Sequence, residues 1–133
     1  MRYLIDTSIW IPYLKGKDIA LRDRMRDLPR SELATCSVVW AELLHGATKY
    51  ELSAQRLVLI EETLAGLDLL DFDLAAAHKY ARIRHHLECQ GRLIGGNDLM
   101  IAAIALAHDL TVVTHNGDEF NRVPGLRVED WTV

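Results

Sequence analysis

At 133 residues, with 50% hydrophobic and 26% charged side chains, the chain carries enough apolar material for one domain around one core and too much for a disordered segment. A net charge of −4 argues against a protein that binds nucleic acid by neutralising phosphate over its whole surface. Residues 15–30 nevertheless hold six basic side chains against three acidic ones, a local excess best read as a solvated helix face.

Tyr3-Leu4-Ile5 is a short β-prone run that predicts a strand buried on both faces, with Asp6 at its carboxyl end. Thr7 or Ser8 is expected to cap a helix from Ile9 to about Leu14, ended by Gly16. Asp18 caps the next, whose core stripe is Leu21, Met25 and Leu28. Leu33–Cys36 reads as a second strand, and Ser37 as the cap of a helix to about Lys49. Val39, Leu43, Ala47 and Tyr50 form its buried stripe, and Glu42, His45 and Lys49 share another face. Ser53 caps a helix to about Leu64, Leu67–Phe72 is a strand with soft limits, and Asp73 caps a long helix to about Gln90.

Gly95-Gly96-Asn97-Asp98 then leads into a run of Leu, Met, Ile and Ala as far as His108. Two glycines suit a close turn, Asn97 a cap, and Asp98 the first turn of a helix apolar all round. Thr111–Thr114 is a buried strand, His115–Asp118 a turn, and Val123–Val128 a turn into an edge strand.

Strands alternate with helices along the chain, so the expected architecture is α/β: a central, mostly parallel sheet of about four or five short strands with helices on both faces, residues 1–133 forming one domain. Chemistry in such folds gathers at the carboxyl ends of the strands. Asp6, Glu42, Asp98 and Asn116 or Asp118 all fall near such ends, and converging carboxylates repel unless a cation lies between them. Hard oxygen donors without clustered Cys or His select Mg2+ or Mn2+ over zinc.

Other chemistries lack their motifs. Gly-x-Ser-x-Gly, a P-loop and Gly-x-Gly-x-x-Gly are all missing. Cys36 and Cys89 are read as reduced thiols of a cytoplasmic protein. An acid interrupts the opening Met1–Asp6, which therefore makes no secretory leader, and no apolar run reaches the roughly 20 residues of a membrane span.

Leu4-Ile5-Asp6-Thr7-Ser8, Ser37-Val38-Val39-Trp40-Ala41-Glu42-Leu43-Leu44-His45-Gly46, Asn97-Asp98-Leu99-Met100-Ile101-Ala102-Ala103 and Thr114-His115-Asn116 with Phe120 and Pro124-Gly125-Leu126 occur in that order along the chain. Together they resemble the PIN-domain ribonucleases, more narrowly the VapC toxins of type II toxin–antitoxin pairs. The resemblance implies an endoribonuclease that cuts RNA, tRNA among the candidates, with Mg2+ or Mn2+ and metal-activated water. It also implies a homodimer silenced by a cognate antitoxin.

By the same resemblance Asp6, Glu42 and Asp98 match the family's acidic metal ligands, and Asn116 falls where a fourth acid is common. Asp118 is a supporting acid past the turn, and Thr7 or Ser8 the hydroxyl that steadies the site. Two rival readings are a non-catalytic interaction protein of the same fold, which an amide at 116 favours, and an Asp-nucleophile phosphatase. The latter needs an acid two residues after the nucleophile, where Ser8 stands.

Overall fold

The computed structural model describes residues 1–49 and 51–132. In chain order they form β1 (Tyr3–Ile5), α1 (Thr7–Lys15), α2 (Ile19–Asp27), β2 (Leu33–Cys36), α3 (Ser37–Thr48), α4 (Ser53–Leu64), β3 (Asp68–Leu70), α5 (Leu74–Cys89), α6 (Gly96–Ala107), β4 (Thr111–Val113), α7 (Gly117–Phe120) and β5 (Val128–Glu129). The strands make one sheet in the order β3-β2-β1-β4-β5, every pair parallel. All residues of β1, β2 and β4 are buried. Successive side chains of a strand point to opposite faces, so helices must cover both.

The chain runs outward from β1 through β2 to β3, then returns to the other side of β1 for β4 and β5. The order therefore reverses between β1 and β4, and a crevice opens at their carboxyl ends. Asp6 donates its backbone N–H to Val113 across that reversal at 2.9 Å.

The apolar run after Asp98 is α6, and Leu99, Ile101, Ala102, Ala103, Ile104 and Ala105 are all essentially inaccessible to solvent. α6 is held between α5, α3, α7 and β4, which is why it can be apolar all round. Packing on so many elements fixes its axis and hence the position of its first turn.

Two expected caps are made by the side chains named for them: Asp18 accepts from Leu21 N–H and Asp73 from Ala76 N–H, each at 3.0 Å. Gly16 and Gly91, at φ +68° and +64°, close α1 and α5 in the left-handed conformation.

Four other caps differ from the sequence reading. α1 begins at Thr7 with Asp6 at its cap, α3 at Ser37 with Cys36, α4 at Ser53 with Leu52, and α6 at Gly96 with Gly95, none with a capping side-chain bond. At α1 and α6 these side chains are turned toward carboxylates: the hydroxyls of Thr7 and Ser8 and the amide N–H of Asn97 donate to Glu42 and Asp6. Pro12 lies in the second turn of α1. Gly95 has φ −58°, and a side chain at Gly95 or Gly96 would meet nothing within 4 Å, so the glycines do not force this turn. α7 forms where a plain turn was expected, anchored by the buried Phe120. Tyr50, assigned to the stripe of α3, lies outside the described residues.

Candidate active site

Asp6 follows β1 and is 3% exposed. A carboxylate so buried requires donors. It has two, since Ser8 Oγ and Thr114 Oγ1 each donate to Asp6 Oδ2 at 2.8 Å. Thr114, at the end of β4, is itself fully buried and also accepts from Asn116 N–H at 2.8 Å. The two strands at the reversal therefore clamp one carboxylate.

Glu42 rises from the second turn of α3, partly buried. Thr7 Oγ1 donates to its Oε1 at 2.8 Å, and Asn97 Nδ2 to its Oε2 at 3.4 Å. The residues flanking Asp6 and Asp98 in sequence thus orient Glu42 in space, joining β1, α3 and α6.

Asp98 is the third. Its pKa is pushed up to about 8, first by burial, then by a hydrogen bond with Glu119, and then by the negative charges of Asp6, Glu119 and Glu42. Cys36 senses two of the same charges: burial is the main cause that takes its thiol to about 11, with Asp6 and Glu42 adding to it against hydrogen bonds from the Val39 and Val38 backbone. A thiol so weakly acidic stays protonated and is no nucleophile.

Asp6, Glu42 and Asp98 therefore lie together at the carboxyl rim of the sheet. Asn116 and Asp118 are both exposed. The carboxyl that reaches Asp98 is Glu119, in α7. Sequence reasoning missed it because His115–Asp118 read as a plain turn. The available signal was Phe120, an apolar anchor able to pin a helical turn and place its neighbour against α6.

Among the described residues no three carboxylate, imidazole or thiol groups close into a coordination cage. The acids are steadied instead by hydroxyl and amide donors. Oxygen donors held in this way suit a hard divalent cation such as Mg2+ or Mn2+, and Mg2+ keeps much of its water and needs only one or two direct carboxylates. The donor set is oxygen only, as hard cations require.

Beside the acids lies a groove of about 320 Å³ between α1, α3 and α4. Ile11, Leu14, Leu43, Ala47, Leu59 and Ile60 line it, and Glu42 stands on its wall.

A parallel five-stranded sheet with acids gathered at its reversal defines a nuclease-like α/β domain, and the PIN domain family matches residues 3–126. The chain belongs to the PIN-domain family. It is 39% identical over 132 residues to the tRNA(fMet)-specific endonuclease VapC of Shigella flexneri, covering 99% of both chains. Among solved structures it superposes with a TM-score of 0.92 on DNA-bound VapBC from Salmonella typhimurium, at 36% identity and 98% coverage of both chains. With VapBC2 from Rickettsia felis bound to a promoter DNA fragment the TM-score is 0.91, at 32% identity over 98% of this chain and 99% of that one.

Proposed function

We infer that this chain is the endoribonuclease toxin of a VapBC-type toxin–antitoxin pair, acting in the cytoplasm as a homodimer that a VapB-like antitoxin holds inactive. The observation that carries the reading is the meeting of Asp6, Glu42 and Asp98 at one rim, with Glu119 completing the acidic set. Relatives of full length are named ribonucleases and endonucleases. tRNA is the substrate class we propose, from the name of the Shigella relative and the resemblance in sequence. Among the described residues no helix is long and apolar enough to cross a membrane, and both cysteines are free thiols, in keeping with a cytoplasmic site of action.

Asp6, Glu42, Asp98 and Glu119 would hold a divalent cation, Mg2+ or Mn2+. When bound, such an ion neutralises charge on the phosphate and makes water a better nucleophile. The protein's own contribution is orientation and proton control. Ser8 and Thr114 hold Asp6 Oδ2, and Thr7 holds Glu42 Oε1. Asp98 keeps its proton near neutrality, to be released as positive charge arrives. The buried clamp on Asp6 leaves it little freedom to swing away, which preorganises the site.

The groove beside Glu42 is where we place the antitoxin. Its lining, apolar apart from Lys15, Arg56 and Glu42, suits an apolar segment, and Glu42 at its wall, beside the other acids, suits an arginine, whose guanidinium meets carboxylates in bidentate fashion. Inhibition would then be occupation of the acidic site by a fixed cation.

The test is sequencing of RNA ends after brief expression of the wild type, Asp6→Ala and Asp98→Asn. New 5′ ends at defined sites should appear with the wild type and fall by more than about 100-fold with either variant. Cleavage by purified Asp98→Asn at the wild-type rate would overturn the site assignment. An antitoxin stripped of its basic residues that still inhibits fully would overturn the docking scheme.

A further inference from the structure

His115 follows Thr114 at the end of β4, and its backbone N–H donates to Ser8 Oγ at 2.9 Å while that hydroxyl donates to Asp6. The main chain at His115 is thus tied to the buried carboxylate through one side chain. Its imidazole is 64% exposed, yet it is held at a definite angle. Nδ1 lies 3.0 Å from Asp130 Oδ2 and 2.9 Å from Thr132 Oγ1, both on the segment that follows β5.

Asp130 accepts from both the hydroxyl and the backbone N–H of Thr132. Partial burial works the other way, but these bonds and the one to His115 hold Asp130 below the usual carboxylate range, so it is an ionised acceptor. The proton between His115 and Asp130 therefore sits on Nδ1. Among the described residues Nε2 makes no hydrogen bond, and it is the edge left to solvent. Exposed ion pairs of this kind add little to stability. A ring fixed by a carboxylate, with its second nitrogen free at the rim of an acidic site, is placed for a ligand.

We propose that His115 contacts the RNA substrate, its Nε2 pairing with a phosphate beside the one that is cut, and that Asp130 is the positioning residue that aims it. The proposal rests on the nuclease reading above. A polyanion approaching four carboxylates meets repulsion except where cations stand. Asp130 on one ring nitrogen and a phosphate on the other would each accept one N–H of the ring. Asp130 and the phosphate lie on opposite ring nitrogens, so neither displaces the other.

Bulk tRNA with Mg2+ present is the probe, and steady-state cleavage is followed at several monovalent salt concentrations. His115→Ala should raise KM about five- to tenfold while kcat stays within about twofold. The slope of log KM against log salt should shrink by one phosphate contact, about 0.7–0.9. Asp130→Asn should raise KM in the same direction by less, and His115→Arg should recover most of the lost binding. The last two variants keep the test alive should His115→Ala fold poorly. Unchanged KM and slope in both His115→Ala and Asp130→Asn, a loss confined to kcat, or His115→Arg no better than alanine would each overturn the proposal. A wild type that cuts no RNA with Mg2+ or Mn2+ would instead overturn the nuclease reading.

Discussion

Asp98, in the first turn of α6, is hydrogen-bonded to Glu119 of α7. Two carboxyl groups can share a hydrogen bond only if one keeps its proton. Burial first, and then this bond, turn a residue that could have been a simple helix-terminus acid into one that holds its proton near neutrality, within the fields of Asp6 and Glu42.

The pair makes stability depend on pH. Asp98 titrates near 8 in the folded chain against an ordinary value of 3.8, so between these limits the native state binds more protons than the unfolded one. Without divalent cations, stability should be full below about pH 4, fall as pH rises, and level off above about pH 8. Thermal midpoints in a chelator across this range test it, and Asp98→Asn should flatten the profile. Cation binding should release protons, so stabilisation by Mg2+ should grow from pH 6 to pH 8.

The hydroxyls that orient the acids should matter as much as their short side chains allow. Ser8→Ala and Thr114→Val each take one donor from Asp6 Oδ2, and either should lower cleavage by about 10–100-fold. Thr114 is fully buried, so its replacement should also cost about 1–3 kcal/mol of stability. Urea unfolding beside cleavage rates separates the two effects. Cleavage at the wild-type rate in Thr114→Val would mean that Asp6 needs no clamp.

Leu59 is 45% exposed on the wall of the groove beside Glu42. Leu59→Glu should leave the thermal midpoint nearly unchanged. It should weaken antitoxin binding at least about tenfold, or ~1.4 kcal/mol, because it buries a charge in the interface. Titration calorimetry against purified antitoxin is the measurement.

α6 carries the core and one acid of the candidate site at once. Ile104 is completely buried in its middle, and Ile104→Ala should cost about 2–5 kcal/mol. Urea unfolding measures the loss, and the slope of unfolding should stay the same if packing alone has changed.

Much of this was readable from the sequence by local rules. The apolar run after Asp98 could only be a buried helix, the alternation of short apolar runs and helices required a parallel sheet, and Asp18 and Asp73 cap their helices as their positions imply. These features depend on periodicity and on bonds within a few residues. What tertiary structure alone decided is which groups separated by long stretches of chain compete for the same hydrogen bonds. Thr7 and Asn97 donate to Glu42, and Ser8 joins Thr114 on Asp6, because a partly desolvated carboxylate needs donors wherever the fold supplies them. Glu119 reaches Asp98 from α7, whose Phe120 is buried in the core. No spacing rule along the chain encodes that placement, since it is set by how α7 docks on α6.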